Sequence, residues 1–245
     1  MTVRVRFFGS GNAFADGGRS HACIYVSAPG VSMLLDCGAS SLPVIRRALD
    51  PALITAVAVT HLHGDHFGGI PFFVDQQKYA HRGAPLVIAG PRSLRPRLES
   101  LAQAYTMDLA NVGFQLTFVV LGADEQDVGG ARVAALPVFH SQGVEPHGLR
   151  VRIGDRLIAY SGDASWSDEL VAVAKGADLF ICEATNFAAL EEKTNPVHVS
   201  YETLLKNRAR LQCDRIVLTH LGTSTLAHLG ELQLEYAIDG TELEL

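Results

Sequence analysis

Hydrophobic positions along the chain follow two spacings, one typical of strands and the other typical of helices. Alternating or continuous apolar runs predict strands at 3–8, 22–28, 31–36, 53–60, 86–89, 115–121, 131–138, 148–153, 156–161, 178–182 and 215–219. Apolar residues at helical spacing predict helices at 42–49, 68–81, 93–107, 167–175 and 200–211. The Asp239-Gly240 turn predicts a terminal pair of strands. Strands and helices alternate without a linker, so we expect one α/β domain over residues 1–245.

Two short segments of the first half are echoed in the second half. The sequence AVAVTHL at 56–62 is answered by RIVLTHL at 215–221, and LLDCG at 34–38 is loosely answered by AYSGD at 159–163. These echoes are typical of a duplicated sandwich in which each half runs a buried strand into a Thr-His-Leu loop. A chance match of three residues is the alternative.

The charge balance argues against a partner that is a long polyanion. Twenty basic residues against 26 acidic ones give a net charge of −6, so the surface as a whole repels nucleic acid at long range. We therefore expect that long nucleic acid is not a partner.

The cysteines and the hydrophobic runs indicate a cytoplasmic protein. The four cysteines, at 23, 37, 182 and 213, form no C-x-x-C pair, which disfavours both a disulfide scaffold and a structural zinc knuckle. The N-terminal sequence MTVRVRFFGS lacks the apolar core of a signal peptide. No apolar run approaches the ~18 residues that a membrane helix needs. We therefore expect no membrane partner.

The composition stands out in one respect, because the chain has ten histidines. Three of them lie with an aspartate in the segment THLHGDH at 60–66, which holds His61, His63, Asp65 and His66. On a loop that follows a buried strand, two imidazoles can face one cation while Asp65 and His66 face a second. The alternative is a polar loop whose histidines only satisfy backbone groups, but four ligand-type residues in six positions favour a metal site.

Two cations need further ligands, and three later strand ends supply them. His140 follows a strand in LPVFHS, Asp163 in YSGDAS and His220 in VLTHLG. Together they provide one imidazole for each cation and a carboxylate that can bridge both. Imidazole and carboxylate ligands suit Zn²⁺, with Mn²⁺ and Fe²⁺ as alternatives.

The order of these ligands resembles the metallo-β-lactamase superfamily. The motif His61-x-His63-x-Asp65-His66 is followed by His140, Asp163 and His220, and the resemblance extends from FFGSG near the N-terminus to the final THLG. It implies a four-layer αββα sandwich with the metal site at one edge of the sheets. It also implies two Zn²⁺ per chain, one held by His61, His63 and His140, the other by Asp65, His66 and His220, and both bridged by Asp163.

Local features indicate a branch of this superfamily. Asp163 at the bridging position is unlike true lactamases, in which this ligand is usually replaced. The segments ICEATNF at 181–187 and NPVHVS at 195–200 resemble the ribonuclease Z branch. That resemblance implies a proton shuttle in which Glu183 orients His198 and His198 protonates the leaving oxygen, while Asp65 helps to hold the metal-bound hydroxide that attacks. A strand-end salt bridge for Glu183 and an exposed position for His198 are the structural alternatives.

Ribonuclease Z proper carries a long basic arm between the equivalents of His140 and Asp163, and this chain has no room for one. The interval is 163 − 140 = 23 residues and is filled by two predicted strands. We therefore expect a dinuclear zinc phosphodiesterase that acts on a small anionic substrate, such as a cyclic nucleotide, without the tRNA-binding exosite. A thioester or acyl hydrolase of the glyoxalase II type, a ribonuclease Z-like RNA endonuclease and a non-catalytic metal-binding module remain alternatives. Members of this branch are often homodimers.

The surroundings of the site are less defined by the sequence. The segment GSGNAFADGG at 9–18 does not match a dinucleotide-binding motif and is interpreted as a turn beside the metal site. Phe67 and Trp166 are candidates for its apolar walls. Cys37 and Cys182 are expected to be buried hydrophobic residues.

Overall fold

Fourteen strands form two seven-stranded sheets in the computed structural model, which describes all 245 residues. The first sheet has the order β14-β1-β2-β3-β4-β5-β6 and the second the order β13-β12-β11-β10-β9-β8-β7. The strands are β1 (Arg4–Gly9), β2 (Cys23–Ala28), β3 (Val31–Leu35), β4 (Ala56–Ala58), β5 (Leu86–Gly90), β6 (Leu116–Val120), β7 (Gln126–Val128), β8 (Ala131–Pro137), β9 (His147–Ile153), β10 (Arg156–Tyr160), β11 (Leu179–Glu183), β12 (Arg215–Thr219), β13 (Glu235–Tyr236) and β14 (Glu242–Glu244).

Eight helices and four single 3-10 turns connect the strands. The helices are α1 (Ser41–Ala48), α2 (Gly64–Phe67), α3 (Ile70–Tyr79), α4 (Leu94–Ala104), α5 (Asp168–Ala174), α6 (Tyr201–Lys206), α7 (Arg208–Leu211) and α8 (Thr223–Ala227). Two of them begin where the sequence offers a capping hydroxyl: Ser167 Oγ accepts from the Leu170 amide at 3.2 Å, and Ser200 Oγ accepts from the Thr203 amide at 3.2 Å. No helix combines the length and the apolar character that a membrane span requires.

The layers follow from apolar side chains on both faces of the strands. Successive side chains of a strand point to opposite faces, so Val5 and Phe7 of β1 enter the layer between the sheets while Phe8 points the other way. On the outer face of the first sheet, Phe8 shares a buried cluster with Ile45 of α1 and Phe73 of α3. The outer face of the second sheet packs in the same way against α5, α6 and α7. The result is the expected αββα sandwich.

The two sheets share one strand plan. Counted from β14 in the first sheet and from β7 in the second, the first three pairings of each sheet are antiparallel and the last three are parallel. This plan makes β3 equivalent to β10 and β4 equivalent to β11. LLDCG and AYSGD therefore lie at equivalent strand ends, whereas the Thr-His-Leu segments follow β4 and β12, which are not equivalent.

The prediction that the strands around the Asp239-Gly240 turn pair with each other is wrong, because the strands on either side of the turn join different sheets. β13 pairs with β12 in the second sheet, and β14 pairs with β1 in the first. The Asp239 carboxylate accepts hydrogen bonds from the Ser10 amide at 2.9 Å and the Ser20 amide at 2.7 Å, and the Gly240 amide donates to Phe7 O at 2.7 Å. These bonds tie the turn to β1, so it closes the sandwich rather than a hairpin.

Other differences concern element ends. The strand expected at 53–60 contains only β4, since residues 51–53 form a 3-10 turn, and the helix expected at 200–211 is divided into α6 and α7 at Asn207. The helix expected from residue 68 begins at Ile70, and the preceding ligand-rich loop contains the additional short helix α2. The short elements β7 and α8 were not predicted.

Candidate metal centre and active site

The predicted site residues lie with Asp36 at one edge of the sandwich because six strands end there. Asp36 follows β3, His61 follows β4, His140 follows β8, Asp163 follows β10, Glu183 ends β11 and His220 follows β12. β8 and β10 both pair antiparallel with β9 and therefore run in the same direction. All seven predicted metal ligands meet at this edge.

One group of ligand atoms comes from His61, His63, His140 and Asp163. His61 Nε2 lies 3.1 Å from His63 Nδ1, and His140 Nε2 lies 3.2 Å from the same atom. Asp163 Oδ2 completes the group, 3.7 Å from His61 Nε2 and 3.6 Å from His140 Nε2.

A second group comes from Asp65, His66, His220 and again Asp163. Asp65 Oδ2 lies 3.3 Å from His66 Nε2 and 3.2 Å from His220 Nε2. Asp163 Oδ1 lies 3.2 Å from His66 Nε2 and 3.3 Å from His220 Nε2. The two oxygens of Asp163 thus face different groups, which is the arrangement that a bridging carboxylate requires.

These distances fit metal coordination better than hydrogen bonding. Four ligands at ~2.0–2.1 Å from a tetrahedral zinc ion lie ~3.3 Å from one another, close to the separations within each group. His66 Nε2 and Asp163 Oδ1 are buried and have no hydrogen-bond partner despite their proximity. A buried polar atom without a partner is costly, and a cation between the two atoms would satisfy both.

The ring nitrogens that point away from the ligand groups are held by hydrogen bonds. His61 Nδ1 lies 3.0 Å from Thr60 Oγ1, His140 Nδ1 lies 2.7 Å from Val197 O, and His220 Nδ1 lies 3.0 Å from Thr185 Oγ1. Such contacts orient the imidazole and select the tautomer whose other nitrogen binds a metal.

Asp36 supports ligands of both groups, and the sequence motif LLDCG had suggested no role for it. Its Oδ2 accepts from His66 Nδ1 at 2.7 Å, and its Oδ1 accepts from the Thr60 amide at 2.8 Å. The Thr60 hydroxyl also donates to Asp36, leaving its lone pairs to accept from His61. The only signal in the sequence was an acidic residue directly after a buried strand.

Gly38 lets the loop at 60–66, which carries four of the predicted metal ligands, pack against the end of β3. Gly38 lies under Asp65, where an added Cβ would stand 2.0 Å from Asp65 O. The amide of Cys37 donates to His66 O at 2.7 Å, and the amide of Ala39 donates to Gly64 O at 3.2 Å. Backbone hydrogen bonds therefore position the loop at 60–66 without the help of a metal ion.

The electrostatics of the site favour ligand-competent protonation states. Burial lowers the pKa of His61, His63 and His140, which keeps these imidazoles neutral at pH 7. Burial alone would raise the pKa of Asp163, but the charges of His220 and His66 outweigh it and lower the pKa well below its ordinary value. Neutral imidazoles and ionised carboxylates are the forms that bind metals.

His66 differs from the other histidines of the site. Burial opposes its charged form, but the carboxylates of Asp163, Asp65 and Asp36 together raise its pKa well above the ordinary value. The same three carboxylates would attract a metal cation to this position.

Glu183 and His198 lie beside the ligand groups and contact each other. Glu183 Oε1 accepts from His198 Nδ1 at 2.7 Å, and Glu183 is completely buried. Burial alone would lower the pKa of His198, but the charge of Glu183 and this hydrogen bond outweigh it and raise the pKa of His198 to about 9. The ring of His198 packs edge-on to His140, with centroids 4.9 Å apart.

Thr185 joins this pair to the metal ligands, a role that the segment ICEATNF did not reveal. The Thr185 hydroxyl donates to Glu183 Oε2 at 2.6 Å and can accept from His220 Nδ1 at 3.0 Å. A single hydroxyl thus connects a ligand of the second group to the carboxylate that holds His198.

The ligand groups open into a cleft of about 350 Å³. The turn at 9–18 lies beside it as expected, since Asn12, Ala13 and Phe14 line the cleft. Phe67 and Trp166 do not line it, because Phe67 is buried against the first sheet and Trp166 packs against the core of the second. Cys37 and Cys182 are buried, as predicted.

Solved structures of similar fold are metallo-β-lactamase proteins. The metallo-β-lactamase fold protein YhfI from Bacillus subtilis superposes with a TM-score of 0.80 at 18% identity and covers 100% of both chains. Human tRNase Z, short form, superposes with a TM-score of 0.79 at 23% identity over 98% of each chain. A diphosphatase from the PhnP family superposes with a TM-score of 0.77 at 18% identity over 99% of this chain and 98% of that chain. At these identities the likeness establishes the fold.

Relatives in sequence include ribonuclease Z proteins of archaea. The ribonuclease Z of Methanothermobacter thermautotrophicus is 27% identical over 270 residues, which cover 90% of this chain and 87% of the relative. The ribonuclease Z of Halorubrum lacusprofundi is 26% identical over 293 residues, which cover 98% and 94%. Together with the His/Asp groups, these relatives support a metallo-hydrolase of the metallo-β-lactamase fold.

A family assignment comes from a match over most of the chain. The sequence model of the family described as "Anti-Pycsar protein Apyc1" matches residues 3–234. The chain therefore belongs to the anti-Pycsar protein Apyc1 family.

Proposed function

We propose that this protein is a phosphodiesterase that hydrolyses small phosphodiesters, such as cyclic nucleotides, at a dinuclear zinc centre. The observation that carries this proposal is the position of His198, held at Nδ1 by the buried Glu183 and exposed to the cleft beside both ligand groups. An alkoxide is a poor leaving group, so a proton donor positioned beside the metal ligands would accelerate hydrolysis of a phosphodiester.

The residues of the two ligand groups can hold two cations. His61, His63 and His140 would hold one, Asp65, His66 and His220 the other, and Asp163 both. Two such ions would lower the pKa of a shared water and neutralise charge on the phosphoryl group. Mn²⁺ and Fe²⁺ suit the same donor set, because no thiolate is required.

The chain's own residues would supply orientation and proton transfer. Asp65 uses Oδ2 in the second group, and its Oδ1 has no protein hydrogen bond, so it is free to accept one from the attacking water. Glu183 engages Nδ1 of His198, which leaves Nε2 as the donor toward the cleft. The raised pKa of His198, about 9, keeps the imidazole protonated at pH 7, and bound cations would lower this pKa toward the range of an efficient acid.

The size of the cleft and the net charge of the protein favour a small substrate. Between His140 and Asp163 the chain forms β9 and β10, which are integral to the second sheet. The cleft of about 350 Å³ is at the lower end of the ~300–1,000 Å³ typical of small-molecule sites. The net charge of −6 disfavours a long polyanion.

The test is turnover of three substrates by the zinc-loaded wild type and by His198→Ala, with metal content measured for both. The substrates are a 3′,5′-cyclic nucleotide, bis(4-nitrophenyl) phosphate and a panel of thioesters. We expect the variant to keep its metal and to lose ~10²- to 10⁴-fold in kcat on the cyclic nucleotide. The loss should be smaller on the nitrophenyl ester, whose leaving group needs little protonation.

The control is His81→Asn, which replaces an exposed histidine outside the cleft. Full phosphodiesterase rate in His198→Ala with full metal would remove His198 from the mechanism. Preference of the wild type for thioesters over every phosphodiester would identify an acyl hydrolase instead.

A further inference from the structure

His198 lies in a segment, residues 194–199, that forms neither a helix nor a strand. The segment follows the 3-10 turn Glu191–Lys193 and precedes α6. Backbone outside helices and sheets has no regular ladder of hydrogen bonds, so its buried polar groups need partners from elsewhere in the chain. The place of His198 beside the ligand groups therefore depends on contacts with residues outside this segment.

Asn186 binds this segment at two carbonyl groups. Its Nδ2 donates to Asn195 O at 3.1 Å and to His198 O at 3.0 Å. Between these two carbonyls, Val197 O lies 2.7 Å from Nδ1 of the predicted metal ligand His140. One carboxamide thus holds both ends of a four-residue stretch whose middle orients a metal ligand and whose last residue is His198.

The carboxamide of Asn186 is buried and uses both of its ends. Asn186 is 3% exposed, and its Oδ1 accepts from Asn195 Nδ2 at 3.1 Å. The end that binds two carbonyl oxygens must be the amino group, so the hydrogen-bond network itself fixes the orientation of the carboxamide. A carboxylate of the same shape could donate neither of these bonds. The position therefore requires the chemistry of an asparagine and not only its size.

Asn186 lies three residues after Glu183, so one short stretch of chain holds His198 at two points. Glu183 Oε1 accepts from the ring nitrogen Nδ1 at 2.7 Å, whereas Asn186 holds the carbonyl group of the same residue. The stretch is itself fixed to α6, because the Tyr201 amide donates to Asn186 O at 2.8 Å. A bond to the ring alone would leave His198 able to move with its backbone, and the contact with Asn186 removes that freedom.

We propose that Asn186 is a positioning residue, which places the proton donor His198 by fixing the backbone of residues 195–198. This inference rests on the proposed phosphodiesterase function, in which His198 protonates the leaving oxygen. Asn186 belongs to neither ligand group and does not line the cleft, so its effect on the reaction passes through the segment that it holds. A proton donor must lie within hydrogen-bond distance of the leaving oxygen, and a misplacement of about 1 Å can cost about 100-fold in rate.

The first test is the dependence of turnover on the leaving group, measured for Asn186→Asp, which keeps the shape of the side chain but removes both donated bonds. For the zinc-loaded variant we expect kcat on a 3′,5′-cyclic nucleotide to fall ~10- to 100-fold. The fall on bis(4-nitrophenyl) phosphate should be much smaller, because its leaving group needs little protonation. A protein that is only less stable would lose both activities in the same proportion. Asn186→Ala, which adds no charge, should change the ratio of the two rates in the same direction.

A double-mutant cycle identifies the residue through which Asn186 acts. In the His198→Ala background, Asn186→Ala should cause no further loss on the cyclic nucleotide, because the donor that Asn186 positions is already absent. Losses that multiply in the double variant would overturn the proposal. The matched control is Asn207→Ala at the end of α6, which removes a similar bond from Asn207 Nδ2 to Thr203 O at 2.9 Å and should leave the ratio of the two rates unchanged.

Amide hydrogen exchange separates this proposal from the proposed function, because it needs no turnover. Followed by mass spectrometry, exchange in Asn186→Ala should be faster than in wild type in peptides that cover residues 194–199 and unchanged in peptides from β1 and β2. A wild type that hydrolyses no phosphodiester would refute the function, while faster exchange at 194–199 would still show that Asn186 fixes this segment. A phosphodiesterase whose two Asn186 variants keep the wild-type ratio of rates would refute only the role of Asn186.

Discussion

Asp36 and His66 form a completely buried pair in which Asp36 Oδ2 accepts a hydrogen bond from His66 Nδ1 at 2.7 Å. Asp36 reaches His61 as well, through the Thr60 hydroxyl. One carboxylate outside the ligand set therefore orients an imidazole in each ligand group, and it also keeps His66 Nε2 directed at the second group.

Replacing this carboxylate should weaken metal binding at both positions. Asp36→Asn keeps the shape of the side chain but removes its charge, and we expect metal affinity to fall ~10- to 100-fold. Metal content after dialysis against a competing chelator would measure the change. Asp127→Asn, an exposed aspartate on β7, is the matched control. Unchanged affinity in Asp36→Asn would mean that the ligands are oriented without it.

Asp163 should be required for both cations, because its two oxygens face different groups. Asp163→Ala is expected to lower the measured metal content at both positions, whereas His140→Ala should lower it chiefly at one. Elemental analysis of each purified variant, with circular dichroism to verify folding, distinguishes the two patterns. Two tightly held ions in Asp163→Ala would rule out a bridging role.

Thr185 should act as a positioning residue for His220 and Glu183. Thr185→Val keeps the shape but removes the hydroxyl, so His220 Nδ1 and Glu183 Oε2 both lose a partner. We expect ~10-fold weaker binding of one metal ion and a larger loss of kcat on poor leaving groups than on good ones. Thr185→Ser retains the hydroxyl and should restore both properties. Loss of folding stability alone, with metal affinity and leaving-group dependence unchanged, would contradict this role.

The dependence of stability on pH should include a contribution from Asp178, remote from the cleft. Burial opposes its ionisation, but hydrogen bonds from the Leu157 amide and Arg156, both at 2.7 Å, lower its pKa. A carboxyl whose pKa is lower in the folded state stabilises the fold above its unfolded pKa of ~3.9 and loses that contribution as pH falls through the folded value.

Asp178→Asn should therefore reduce the free energy of unfolding by about 1 kcal/mol at pH 7, and the difference from wild type should shrink below pH ~4. Thermal unfolding between pH 7 and pH 3.5 would measure it. Asp155→Asn, an exposed aspartate in the β9–β10 turn, is the control. A difference that is constant across this pH range would show that the charge of Asp178 is not responsible.

The sequence alone determined the class of fold and the ligand chemistry. Period-2 and helical apolar spacing are local properties, so most strands and helices could be predicted within a few residues of their ends. The THLHGDH segment identified a metal site because four ligand types within six positions are chemically specific. His140, Asp163 and His220 could be added since each follows a buried strand.

The tertiary structure decided which atoms face each other, because those relationships join residues far apart in the chain. The local turn signal at Asp239-Gly240 suggested a hairpin, whereas contacts with Ser10, Ser20 and Phe7 direct its two strands into different sheets. The sequence assigned no role to Asp36 or Thr185. Their roles arise only where the strand ends meet around one cleft, and packing of the whole sandwich brings these strand ends together.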